Sequence, residues 1–267
     1  MIKLAILFFL IILNFQTKAR EMNLVWAEEF DGEALNENVW NYEEGFIRNM
    51  EDQYYTKRNI NNVRVENGLL VIEAKALKVD NEKYVANSID WRSNRRFAFI
   101  TSGSINTKNK VNFGYGRIDI RAKLPEGMGV WPAAWLLGSN IDTVGYPKCG
   151  EVDIFEYYGK NPDLLTSNIH FVKDGKKKSN LIKLNTPNIK NGFHLYSFER
   201  DIDKLIFYYD GEKYSEILMS NVTGDFSPFD KDMFILINFA YGGDSGGEID
   251  LSKLPQKMFV DFIRYYK

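Results

Sequence analysis

The sequence predicts an all-β domain, a β-sandwich or jelly roll, on three observations. After Arg20 no segment keeps a helical period, short alternating runs recur throughout, and Gly, Asn, Asp and Pro separate them. Many short strands without intervening helices favour stacked antiparallel sheets over a doubly wound α/β fold.

The first segment reads as a targeting signal rather than a strand. Met1-Ile2-Lys3 leads into the apolar run Leu4 to Leu13 and then the polar stretch Asn14 to Arg20. A bilayer-spanning helix takes about 20 apolar residues, so the run fits the core of a secretory signal peptide, with Thr17-Lys18-Ala19 as the cleavage site. Residues 1–19 are therefore expected to be a signal peptide and residues 20–267 one domain, since no linker or internal repeat divides them. No cysteine lies near the cut, so a lipid anchor is not expected and the mature chain should be secreted or periplasmic. Removing Lys3 and Lys18 takes the formal charge from -2 to -4.

The strands follow in order. Val63-Arg64-Val65 and Leu69 to Ala74 flank Glu66-Asn67-Gly68, a hairpin turn signal. Gly116 to Leu124 alternates, Leu205 to Tyr209 runs into the turn Tyr209-Asp210-Gly211-Glu212, and Phe234 to Phe239 and Met258 to Tyr265 complete the set. The last strand runs almost to Lys267, as expected of a chain that ends inside its sheet. Lys173 to Lys178 and Arg92 to Arg96 read as solvated loops.

Composition narrows the partner. With 34 Lys+Arg against 36 Asp+Glu there is no basic footprint for nucleic acid or anionic lipid. A chain of this size buries roughly 70–75% of its unfolded surface and needs no staple. The single Cys149 excludes an intrachain disulfide, and its thiol is expected to be buried. Aromatic residues make up 15% of the chain, and these suit both strands and flat binding surfaces.

The most informative segment is Gly150-Glu151-Val152-Asp153-Ile154-Phe155-Glu156-Tyr157. In a regular strand Glu151 and Asp153 share a face and Glu156 takes the other. A β-bulge near Ile154-Phe155 would return all three acids to one face; otherwise Glu156 points elsewhere. With the bulge discounted, the two Glu Cα atoms stand four strand steps, ~13 Å, apart. Side chains leaning together could then approach the ~5–5.5 Å of a retaining glycosidase pair. The strand alone leaves a metal-binding or merely solvated acidic surface as the alternative.

These residues resemble the E-x-D-x-x-E signature of glycoside hydrolase family 16, in the bulged form of its laminarinase-like members. The likeness extends through Leu24-Val25-Trp26, Phe30-Asp31-Gly32, Gln53-Tyr54-Tyr55-Thr56, Thr101-Ser102-Gly103, Tyr115-Gly116-Arg117, Gly129 to Gly138, Phe193-His194-Leu195-Tyr196 and Val260 to Arg264. It implies a jelly roll of two curved antiparallel sheets with a concave glycan cleft. It further implies Glu151 as nucleophile, Asp153 as its helper and Glu156 as acid/base, with no cofactor in the chemistry. Trp131 and Trp135, four residues apart on one strand face, would stack on sugar; His170 would sit beside the catalytic acids, and Asn49 would contact substrate. Glu51 reads as a loop hydrogen-bonding or salt-bridge residue. Glu29, Gly68 and Asp261 match positions that hold a structural calcium ion in many relatives, and oxygen donors suit that ion.

Departures from the laminarinase pattern are Ser104, Arg200 and Ser245, each expected to alter the groove wall. Gly243-Asp244-Ser245-Gly246-Gly247 spells a serine-protease motif, but His170 and His194 lie too close to Ser245 in sequence for a second barrel to intervene. Two His and one Cys also make a zinc site unexpected, and Asn221-Val222-Thr223 matches a glycosylation acceptor. The expectation is a monomeric, exported, endo-acting, retaining hydrolase of β-1,3 or mixed-linkage β-1,3-1,4 glucan. The alternatives are an agarase- or carrageenase-like galactan hydrolase and a non-catalytic glycan-binding jelly roll.

Overall fold

The computed structural model describes residues 22–224 and 227–267; the expected signal peptide lies outside them. Along the chain come β1 (Leu24–Glu28), β2 (Asn41–Tyr42), β3 (Tyr54–Tyr55), the hairpin β4 (Val63–Glu66) and β5 (Leu69–Ala74), then β6 (Val79–Asp80), β7 (Phe97–Ala98), β8 (Thr101–Ser102) and β9 (Ser104–Asn106). Longer strands follow: β10 (Gly116–Lys123), β11 (Val130–Gly138), β12 (Glu151–Tyr157), β13 (Leu164–Lys173), β14 (Lys176–Ser179), β15 (Ile182–Asn185), β16 (His194–Arg200), β17 (Lys204–Tyr209), β18 (Glu212–Leu218), β19 (Met233–Tyr241) and β20 (Gln256–Tyr266). The described helices are short turns of four residues or fewer.

Two eight-stranded antiparallel sheets form the jelly roll. One runs β18-β17-β16-β10-β20-β5-β4 with β1 on β20, and the other β14-β13-β12-β11-β19-β9-β2 with β15 on β13. The two predicted hairpins hold, each with two successive positive-φ residues: Asn67 at 55° and Gly68 at 74°, Asp210 at 49° and Gly211 at 85°. That pair of left-handed residues matches the twist of the flanking strands.

Alternation within the second sheet separates core from cleft. On β11, Val130, Ala134 and Leu136 enter the central core while Trp131, Ala133, Trp135 and Leu137 face the other way. On β19, Ile235, Ile237 and Phe239 are core and Asn238 faces the cleft. Many of the aromatic residues fill the core, including Trp40, Phe113, Phe155, Tyr196, Phe198 and Phe207. Cys149 is buried and unpaired, as expected.

Two expected loops are more structured than the sequence suggested. The lysine run forms the end of β13 and edge strand β14, whose residues are all exposed; lysines on an edge strand oppose sheet-to-sheet association. In the arginine run, Arg95 lies over the Phe46 ring at 3.8 Å and donates to Glu51 O, and Arg92 donates to Ile47 O.

Candidate active site

The catalytic-type strand is bulged. On the β11 side Ala134 pairs with Phe155 but Trp135 with Asp153, so Ile154 is the extra residue. On the β13 side Asp153 faces Asn168 and Glu156 faces Thr166, three residues against two. Val152, Ile154, Phe155 and Tyr157 consequently all enter the core. Glu151, Asp153 and Glu156 share the opposite face. Opposite partners Leu137 and Ala133 are four residues apart, which sets the two Glu backbones ~13 Å apart at ~3.3 Å per residue.

Gly150 delivers the chain into this strand. Its φ is +80°, and a Cβ there would lie 2.5 Å from Pro228 O. Both the left-handed conformation and the close approach require glycine.

The three carboxyls line an open cleft of about 480 Å³. His170, opposite Glu151 on β13, brings Nε2 to 3.5 Å from Glu151 Oε1 and 3.4 Å from Asp153 Oδ2. Its Nε2 also meets Asn168 Nδ2 at 3.0 Å. Trp131 Nε1 donates to Glu156 Oε1 at 2.9 Å, and the Tyr158 hydroxyl bonds the same carboxyl. Tyr146 in turn bonds Glu151.

Burial raises the pKa of all three acids. For Glu151, repulsion from Asp153 adds to it, while His170 and Arg48 oppose it. For Asp153 the Glu156 charge adds to burial. For Glu156 the Tyr158 and Trp131 hydrogen bonds act against burial. Asp153 and Glu156 interact closely enough to titrate as a pair.

Trp131 and Trp135 share the cleft face as expected, but neither ring is an open platform. They are 7% and 9% exposed. The Trp131 ring leans on Tyr158, and the Arg48 guanidinium lies 5.1 Å from the Trp135 ring centre. They form the cleft wall and donate hydrogen bonds, Trp135 Nε1 to Asn238 Oδ1 at 2.8 Å. Asn238 Nδ2 donates to Tyr55 OH, which donates to Glu51 Oε2. Glu51 is buried and also accepts from Gln53 and Asn49, so it serves the loop hydrogen-bonding role read from sequence. Asn49 is exposed at the cleft edge.

The sequence reading missed Arg48, Tyr146, Tyr158 and Asn238, which also line the cleft. Asn238 carried a signal, as the one polar residue in the run Met233–Tyr241. The others lie beside recognised motifs with nothing in their spacing to mark them.

Of the departures, Ser245 lines the cleft and Ser104 donates to Glu43, the ion-pair partner of Arg48. Arg200 does not fit the expectation. It is buried away from the groove, donating to Phe113 O, Phe229 O and Lys231 O.

The calcium set does not fit its ion. Glu29 holds Arg264 through bonds of 2.8 and 3.0 Å, Asp261 pairs with Arg121, and Gly68 closes the β4–β5 turn. Carboxylates engaged by guanidinium groups are not free oxygen donors. Among the described residues, Glu151, Asp153 and His170 alone offer three ligand atoms within 4.8 Å of one another, so a divalent ion would compete with substrate for the same groups.

A two-sheet jelly roll whose concave face carries buried paired carboxylates and indole walls defines a carbohydrate-cleaving enzyme. The model of glycosyl hydrolases family 16 matches residues 50–261, and the chain belongs to that family. It is 32% identical to a beta-glucanase of Rhodothermus marinus over 94% of this chain and 87% of the relative. It is 34% identical to glucan endo-1,3-beta-glucosidase A1 of Niallia circulans over 92% of this chain, but spans only 38% of that longer protein. Among solved structures, the laminarinase catalytic domain of Thermotoga maritima superposes with a TM-score of 0.80 at 34% identity, covering 92% of this chain and 98% of that one. A structure reported with endo-acting O-glycanases that human gut microbiota express to initiate mucin breakdown gives 0.86 at 34% identity, covering 92% and 91%.

Proposed function

We propose that this chain is an exported, endo-acting, retaining β-glucanase that cleaves β-1,3 or mixed β-1,3-1,4 links. The observation that carries the reading is the Ile154 bulge, which gathers Glu151, Asp153 and Glu156 on one buried cleft face. Glu151, whose charged form His170 and Arg48 favour against its burial, attacks the anomeric carbon through a carboxylate oxygen as the glycosidic bond breaks. Glu156 gives its proton to the leaving oxygen, then takes one from the water that hydrolyses the glycosyl-enzyme. Asp153, buried between them, holds a proton in its pair with Glu156 and steadies Glu151. Burial supports Glu156 as a proton donor at a pH where a free carboxyl would be ionised. The open cleft supports internal cleavage, and the leader-like residues 1–19 support export.

The test is release of reducing ends from laminarin, mixed-linkage glucan, agarose and carrageenan, with NMR of the first-formed anomer. Hydrolysis of laminarin with retention is expected; inversion, or activity on no β-glucan, would overturn the proposal. A second reading, a β-galactoside-cleaving glycanase, is favoured by the O-glycanase likeness and by 26% identity to a keratan-sulfate endo-1,4-beta-galactosidase of Sphingobacterium multivorum. Hydrolysis confined to mucin O-glycans or galactans would select it.

A further inference from the structure

With both indoles closed, the cleft offers a sugar ring few open faces. The indole and phenol rings that line it are Trp131, Trp135, Tyr146 and Tyr158. All but Tyr146 are covered. Trp131 and Tyr158 lean on each other with ring centres 5.5 Å apart, Lys160 Nζ lies 5.8 Å from the Tyr158 ring centre, and the Arg48 guanidinium lies over Trp135. Tyr146 is 51% exposed, and among the described residues no aromatic ring or cation is stacked on it.

Its loop holds that ring in place. In the connection from β11 to β12, backbone hydrogen bonds close on both sides of Tyr146: Gly145 N to Ile141 O at 2.8 Å, Cys149 N to Gly145 O at 3.0 Å and Gly150 N to Pro147 O at 3.1 Å. Ile141 and Val144 pack onto the buried cluster that contains Leu137, Cys149 and Phe234. The Tyr146 hydroxyl donates to the Glu151 carboxyl, so the turn anchors the backbone and the proposed nucleophile anchors the side chain. A ring fixed in this way meets a ligand with little ordering left to do. A pyranose has an apolar C–H face that an aromatic ring can bury. Because the tyrosine touches the carboxyl that attacks the anomeric carbon, the sugar that reaches Glu151 must pass beside the phenol.

We infer that Tyr146 is the sugar-stacking residue of the cleft, its ring taking the apolar face of the hexopyranose unit delivered to Glu151 and its hydroxyl keeping ring and carboxyl together. The role read from sequence for Trp131 and Trp135 thus passes to a residue in the loop before the catalytic strand. It rests on the glycosidase reading for the part played by Glu151, and holds whether the hexose is glucose or galactose.

Tyr146→Phe keeps the ring and drops the hydroxyl, whereas Tyr146→Ala removes both. In a Glu151→Gln background, which leaves the ligand intact, calorimetric titration with laminarihexaose should show Kd raised about fivefold or more by Tyr146→Ala and less than about twofold by Tyr146→Phe. The Tm of each variant at this exposed position should match the parent's, which separates a lost contact from a lost fold. An equal Kd in all three proteins would overturn the stacking role, and so would an equal rise in both variants, which assigns the whole contact to the hydroxyl. Laminarin hydrolysis by the wild type is scored separately, with a β-galactan oligosaccharide as second probe. Hydrolysis with Kd unmoved by Tyr146→Ala fails the stacking role alone. Binding confined to the galactan probe, with the same dependence on Tyr146, sustains the stacking role and fails the glucanase reading. Binding of neither probe overturns the stacking role.

Discussion

Glu156 and Glu151 occupy similar burial but different neighbours, and in the proposed mechanism that difference divides their work. Trp131 Nε1 donates to the Glu156 carboxyl, and a donor to the charged form lowers a pKa. Trp131→Phe is therefore expected to move the alkaline limb of the kcat/KM profile to higher pH, read from a pH series on a soluble substrate. Burial places that limb above the ordinary carboxylate value of about 4.3 in the wild type. Glu156→Gln should lower kcat by about 10²–10⁴-fold on unactivated substrates. Stability should move the opposite way at Glu151. Burial and Asp153 hold its folded-state pKa above the unfolded value, so its contribution to folding is complete below about pH 4.3 and is lost as pH rises through the folded value. Glu151→Gln escapes that loss: its Tm should exceed the wild type's at pH 7, by about 2–4 °C per kcal/mol relieved, and match it near pH 3.

At the scale of the element, the bulged strand converts an awkward spacing into a site. Gly150 is its entry point, and Gly150→Ala must abandon φ +80° or push Pro228 away. A loss of about 1–3 kcal/mol is expected, seen as a lower Tm, with a fall in kcat as Glu151 is displaced. This element was legible in the sequence because three acids in an apolar strand at five-residue span admit one face only with an extra residue. The indoles were half legible. Their four-residue spacing gave the shared face, but the 9% exposure of Trp135 depends on Arg48, which arrives from a distant loop. Tyr146 and Tyr158 were not legible for the same reason: their hydroxyls reach the acids through loop and strand-end geometry that spacing does not encode. The ion pairs of the calcium set were not legible either, because sequence shows Glu29 and Asp261 without showing Arg264 and Arg121 beside them.

Across the whole molecule, strand positions and the two hairpins were readable from alternation and turn residues, whereas the order of strands in the sheets and the long-range polar clamps were not. Arg200 reads as a departure near the groove, yet its guanidinium ties three backbone carbonyls inside the fold. Arg200→Leu should therefore lower Tm, at a cost of about 3–5 kcal/mol for three buried acceptors left without a donor, while kcat/KM of the folded fraction is retained. Loss of activity at unchanged Tm would instead return Arg200 to the groove. On the proposed mechanism the assembly serves one event, transfer of a sugar to Glu151 and then to water. A 2-deoxy-2-fluoro laminari-oligosaccharide bearing a good leaving group should slow the second step enough to trap it. Intact-protein mass spectrometry should then show one added glycosyl unit, mapped by peptide digestion to Glu151. A turnover-competent enzyme that forms no adduct, or carries it on Glu156, would contradict the account.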